Sequence, residues 1–147
     1  MKVRRQARVL ALQALFEVDS ARHPGESALA HRLEENPMPA DGEAFVWRLV
    51  RGVLDHRPEL DRLIESIATD WPLEQIAIVD RNILRIAIFE LTVDQQTPVK
   101  VAINEAVELA KLFGSDSSQR FVNGVLGTLV SRQDSVLAQP GTTTQKT

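Results

Sequence analysis

Residues Ile83-Leu-Arg-Ile-Ala-Ile-Phe-Glu-Leu91 are apolar on almost every side of a helical wheel. A helix of that kind is buried all round, so it belongs at the centre of a helical domain with other helices packed about it. The surrounding stretch, Ile76 to Val93, also carries Asp80, Arg81, Asn82, Arg85 and Glu90, which is too much charge for a membrane span.

Outward from this segment the periodicity is helical nearly everywhere, and no Asn-Gly or Asp-Gly joins two alternating runs, so no hairpin is predicted. Breakers divide the chain. The first helix is expected from about Val3 to Ala21, stopped by His23-Pro24-Gly25, and the second from Ser27 to Glu35, ended by Asn36-Pro37-Met38-Pro39. A third follows Asp41 as N-cap and runs to His56, and Pro58 suits the first turn of a fourth, to Ala68. The central helix spans about Val79 to Val93. Thr97-Pro98 opens a sixth helix that Gly114 stops after Phe113. Asp116-Ser-Ser-Gln119 has the form of a capping box for a last helix, to Arg132. The fold class is all-α, about seven helices. The Arg57-Pro58 junction marks a seam between an N-terminal lobe, 1–57, and a C-terminal lobe, 58–132. The polar residues 133–147 are expected to be disordered.

The 147 residues suffice for one compact core. With no Cys, disulfides, Cys-ligated zinc, iron–sulfur clusters and thiol catalysis are excluded. His23, His31 and His56 never pair at i, i+4, and no glycine-rich loop joins a strand to a helix. Neither an enzyme, a cofactor nor a metal site is expected. Met-Lys-Val-Arg-Arg has no long apolar stretch behind it, so no secretory leader and a cytoplasmic location are expected.

The net charge of −3 hides an asymmetry. Lys2, Arg4, Arg5 and Arg8 precede any acid, leaving 13 of the 17 basic residues against 20 acids in the rest of the chain. A basic arm on an acidic body favours an anionic partner. At about 100° per residue, Val3, Ala7, Leu10, Ala11, Ala14, Leu15 and Val18 form one apolar stripe, with the three arginines together beside it. Cations at a helix N-terminus oppose the macrodipole. Their placement there points to phosphates, which the guanidinium fork grips bidentately. Phe16 lies far from the centre of the stripe, near Arg5 in azimuth. It is either an exposed ring able to stack on an unpaired base or part of a second stripe, Val9-Leu12-Phe16, covered by another helix. The wheel alone favours the covered stripe. The same choice arises at Arg120-Phe121, which opens the last helix beside its core stripe Val122, Val125, Leu126, Leu129 and Val130. Asn123-Gly124 inside that helix is costly and implies a close approach by a helix or a partner.

Arg4-Arg-Gln-Ala-Arg8 with Ala11-Leu-Gln-Ala-Leu-Phe16 resembles the opening of the transcription antitermination factor NusB family. Asp80 to Leu91 is similar to that family's central helix. Val99-Lys-Val-Ala-Ile-Asn-Glu-Ala-Val-Glu-Leu-Ala-Lys-Leu-Phe-Gly114 and Arg120-Phe-Val-Asn-Gly-Val-Leu126 resemble its two most characteristic stretches. The resemblance covers about residues 2–130, by pattern only between Ala21 and Leu73. One departure is Ser117, where the family often carries an acid.

The resemblance implies two packed helical bundles and no catalytic residues. It implies binding of the boxA element of nascent ribosomal RNA, a single-stranded target, together with the small-subunit ribosomal protein NusE, within an antitermination complex on RNA polymerase. The RNA-binding residues it implies are Arg4, Arg5, Arg8, Phe16, Arg120 and Phe121, and Lys2 joins them as the remaining cation of the basic arm. The partner surface lies on the C-terminal lobe, with Glu74 and Asp80 as candidates. Asp80 alternatively caps its own helix, and Glu90 reads better as a paired structural residue. The rival reading is a protein-only helical adaptor whose basic arm docks an acidic protein.

Overall fold

The structure, a computed structural model, describes residues 2–137, with side chains as far as Gln133. Seven α-helices run through the described residues: α1 Val3–Ala21, α2 Gly25–Glu35, α3 Ala40–Asp55, α4 Arg57–Ile67, α5 Ile78–Phe89, α6 Val99–Phe113 and α7 Ser118–Leu137. The expected all-α architecture is what forms. α5 packs against α1, α3, α4, α6 and α7, and α1 also against α2 and α3. Ile83, Leu84, Ile86, Ala87, Ile88, Phe89 and Leu91 are all buried in one continuous core. The almost uniformly apolar segment is therefore central, as its wheel requires.

The crossing of α3 over α5 depends on Gly52. A Cβ built there would lie 2.2 Å from the Phe89 ring, so only glycine lets the backbone sit against that side chain. Gly114 is likewise a matter of space rather than of backbone hand. Its Cβ would meet the Ser118 hydroxyl at 2.4 Å, and its φ is −91°, not the left-handed stop expected for a helix-ending glycine.

Several boundaries differ from the sequence reading for local reasons. α3 begins at Ala40 behind Pro39, and Asp41 accepts the Gly42 N–H at 3.0 Å inside the first turn instead of capping it. Only His56 separates α3 from α4. α5 gives way at Glu90 to a π turn through Asp94, closed by Gln95 N–H donating to the Glu90 carbonyl at 2.9 Å. Thr97 does not cap α6: its hydroxyl donates to the Glu90 carboxylate at 2.9 Å. Instead of a capping box at Asp116, α7 starts at Ser118. The Ser118 hydroxyl accepts from Ser115 N–H and donates to Asp80 at 2.7 Å. α7 also continues to Leu137, so the tail expected from 133 is helical over its first five residues. Its remainder lies outside the described residues.

Candidate nucleic-acid interface

α1 begins without an acid in its first turn and without a side-chain cap. Lys2, Arg4, Arg5 and Arg8 come together around one open hollow of about 790 Å³, completed by Val101 and Glu105 of α6. They are not equivalent. Lys2 and Arg4 are exposed, and the Arg4 guanidinium lies 4.1 Å over the Phe45 ring, a cation–π contact that holds it in place at little cost in reach. Arg5 is half-exposed and grips Glu105 with Nε and Nη2 at 3.1 and 2.7 Å. That hydrogen bond, with the adjacent charge, raises the Arg5 pKa and holds the Glu105 carboxyl below its usual range. Arg8 is 3% exposed. Its Nε and Nη2 donate to Glu90, also buried, at 2.9 and 2.8 Å. Its fork is filled from within, which removes Arg8 from the cations free to take a phosphate. The wheel placed it beside the other two correctly, but a wheel cannot show that the Glu90 carboxylate waits on the facing helix. Glu90 is the paired structural residue that the sequence favoured.

Phe16 is exposed, at 39%, although Leu12 one turn earlier is buried. The covered-stripe alternative fails at that ring, since no helix extends over it. Phe16 does not share the arginine hollow. It lines a second cleft, with Leu12, Gln13, Arg32, Val79 and Phe113.

Arg120 is exposed in the first turn of α7, and Phe121 is half-buried against the core. Both line a third groove with Trp71, Ile76, Ala77, Asp80 and Ser117. Asp80 is 8% exposed, its Oδ1 holding the Ser118 hydroxyl at 2.7 Å. It neither caps α5 nor projects freely. It ties the start of α7 to the start of α5 and so positions Arg120 and Phe121. Glu74 is exposed in the short 3₁₀ turn Leu73–Gln75 ahead of α5. A Cβ on Gly124 finds no atom within 4 Å, so the glycine serves no helix–helix approach, and the α7 backbone beside Arg120 is open.

Two exposed aromatics escaped the sequence reading. Trp71, 59% exposed, lies between Asp70 and Pro72 where no periodicity marks a face. Phe113 ends α6 at core spacing from Leu109 and Ala110, so pattern assigns it inward, yet it is 39% exposed. Among the described residues no group of His, Cys, Asp and Glu is placed to hold a metal ion. No helix there is long and apolar enough to cross a membrane.

The chain is 54% identical over 132 residues to the transcription antitermination protein NusB of Roseiflexus castenholzii, covering 88% of this chain and 93% of that one. It is 51% identical over 126 residues to that of Dehalococcoides mccartyi, covering 86% and 88%. Its fold is similar to T. maritima NusB, with a TM-score of 0.82, 33% identity, and coverage of 87% of this chain and 90% of that one. It is also similar to a chain in a crystal structure of antitermination factors NusB and NusE in complex with dsRNA, with a TM-score of 0.82, 26% identity, and coverage of 90% and 98%. The NusB family model matches residues 5–131. An all-α fold built around α5, and a family match spanning nearly all of its helices, lead to one conclusion: the chain belongs to the NusB family.

Proposed function

We propose that this protein is an RNA-binding transcription antitermination factor without catalytic residues. It takes boxA-type single-stranded RNA together with NusE and acts in the cytoplasm, in the antitermination complex on RNA polymerase. The observation that carries the reading is the hollow at the start of α1, where the exposed Lys2 and Arg4 converge with the half-exposed Arg5, paired with Glu105, on a chain that is otherwise acidic. The likeness to a chain complexed with NusE and dsRNA supports NusE and RNA as the partners. Arg120 adds a further cation, and Phe121 a ring face of the kind that unstacked bases occupy. Arg8 and Asp80 enter as positioning residues, one holding α1 against the π turn and the other setting the start of α7. NusE is assigned to the C-terminal lobe, 58–132, beside Glu74 and the groove that Asp80 and Trp71 line. The N-terminal lobe, 1–57, carries the basic arm.

Titration of a boxA oligonucleotide at several salt concentrations tests this. Each phosphate contact on a single strand contributes about −0.7 to the log–log slope, so three to four contacts predict roughly −2 to −3. A duplex of the same sequence hides its base faces and is expected to bind more weakly than the single strand. No binding at low salt with NusE present overturns the reading and leaves the protein-only adaptor.

A further inference from the structure

Arg4 and Arg5 are neighbours in the chain but reach different helices. Arg5 meets Glu105 on α6, in the C-terminal lobe, and Arg4 lies over the Phe45 ring on α3, in the N-terminal lobe. Phe45 is 1% exposed. A guanidinium from its own helix, that of Arg48, lies 5.0 Å from the same ring centre, so one buried ring carries both cations. One turn further along α3, the exposed Arg51 lies 4.5 Å over the Trp47 ring. The cations of the hollow therefore continue onto α3 as a line, Arg4, Arg48 and Arg51. Each is laid on an aromatic face, which holds the guanidinium and leaves the N–H groups at its edge open.

The acids beside this line do not consume it. Asp94 lies next to Arg48 but holds it loosely. The Arg48 Nη2 is 3.4 Å from Asp94 Oδ2, beyond the usual N–H···O range of about 2.7–3.2 Å. The buried Nε is 2.9 Å from Asp94 Oδ1 but is not aligned to donate, and it has no hydrogen-bond partner among the described residues. Arg8, by comparison, fills its fork on Glu90 at 2.9 and 2.8 Å. The Arg48 side chain stays 34% exposed. Arg51 pairs with Glu26 at 3.0 and 3.1 Å, yet both side chains are more than half exposed. A pair so open to water is weakly held and exchanges readily for a phosphate, which the guanidinium fork grips in the same bidentate way.

The line also has a direction. Arg4, Arg48 and Arg51 all belong to the N-terminal lobe, whereas NusE is assigned to the C-terminal lobe. A strand shared with NusE on the α6 side of the hollow leaves it on the other side, over α3.

We infer that Arg48 and Arg51 bind backbone phosphates of the RNA that flanks boxA, on the side away from NusE. The footprint then extends beyond the element, and this part of it reads no sequence, because phosphates carry none. The inference rests on the RNA-binding reading above and adds to it a second surface, on α3.

The test uses the full chain with NusE present and three RNAs: the bare boxA oligonucleotide, and the same oligonucleotide extended at its 5′ or its 3′ end by an unstructured tract of unrelated sequence. For wild type, one of the two extensions is expected to steepen the log–log salt slope by about 0.7 to 1.4, the contribution of one or two further phosphate contacts on a single strand. Arg48→Gln and Arg51→Gln are each expected to remove about 0.7 of that increment and to leave affinity for bare boxA at the wild-type value, which also reports that each variant is folded. Arg48→Lys keeps the charge and is expected to keep the increment. Equal wild-type slopes for all three RNAs overturn the inference. So do variants that leave the extended RNA unchanged, which places the flank elsewhere, and variants that weaken bare and extended RNA alike, which places these arginines within the boxA site. In each of these outcomes wild type still binds bare boxA, whereas failure of the broader reading shows as no binding of it by wild type at all.

Discussion

At one end of α1, Lys2, Arg4 and Arg5 surround a hollow that opens to solvent, with Glu105 the nearest acid. At the other end, Asp19 gathers Arg57 and Arg81, the Arg85 Nη1 at 2.7 Å and the Asn82 amide at 2.9 Å. The Arg85 fork closes on Asp61 at 2.7 and 3.1 Å. Both ends concentrate arginine, yet only the first is available to a partner. The Asp19 side chain is 3% exposed, and Asp19 and Asp61 between them occupy the arginines that join α1, α4 and α5. The contrast teaches that clustered arginine becomes a binding surface only where the fold supplies too few acids to consume it. Arg8 shows the rule within the arm itself, since a buried carboxylate on a facing helix has converted it from contact to clamp.

The largest expected effects come from breaking the buried pairs. Arg8→Met strands Glu90 and is expected to cost about 3–5 kcal/mol of stability, the usual penalty for leaving a buried charge unpaired, read as a lower urea midpoint. Asp19→Ala is expected to cost less, because the Arg85 fork stays paired with Asp61. If Arg8→Met folds with wild-type stability and loses only RNA affinity, Arg8 belongs with the open cluster and the contrast fails.

Acid should weaken the closed cluster next. Burial pushes the Asp19 carboxyl up, but the Asn82 hydrogen bond and the Arg85 and Arg57 charges outweigh it and hold the group below its ordinary value. Glu105 is held low by the Arg5 hydrogen bond. A carboxyl depressed in the folded state contributes stability that is complete above its unfolded pKa, about 4, and is lost as pH falls through the lower folded value. Urea midpoints taken from neutral pH downward should therefore hold level and then decline below about pH 4. Asp19→Asn should flatten that decline, and an unchanged acid limb in this variant would remove Asp19 from the cause.

Arg4→Ala and Arg5→Ala should do the reverse of Arg8→Met. Phosphate contacts carry no sequence information, so affinity falls alike for many RNAs. Each removed contact lowers the magnitude of the salt slope by about 0.7. Stability changes by about 1 kcal/mol or less, because Arg4 is exposed and the Arg5–Glu105 pair is still partly open to water. The smallest effect is expected at Glu105→Gln, which takes the competing charge from Arg5. RNA affinity should rise by a factor of about two to five, the equivalent of a partly exposed pair worth about 1 kcal/mol or less. A fall in affinity would mean that Glu105 orients Arg5 rather than competing for it.

The central position of α5, the breakers between helices and the basic head were all legible in the chain, because each rests on local periodicity or on residue type. Phe16 shows where that reading ends. A wheel places it off the main stripe, and whether a ring off the stripe is covered depends on where other helices stop. Phe113 is the same problem in reverse, a residue at core spacing left exposed because α6 ends there. Glu90, where the π turn begins, has its carboxylate held by Arg8 and Thr97, and those partners lie 82 and 7 residues away in the chain.

By itself, then, the sequence determined an all-α chain with an apolar central helix and a cationic beginning, since hydrophobic period, helix stops and charge are properties of neighbours in the chain. Tertiary structure alone decided which arginines remain open, which aromatic rings face water and which acids are spent on internal pairs. Those outcomes depend on distances between helices far apart in sequence. A charge or a ring has the same side chain whether it ends up satisfied by the fold or left for a partner.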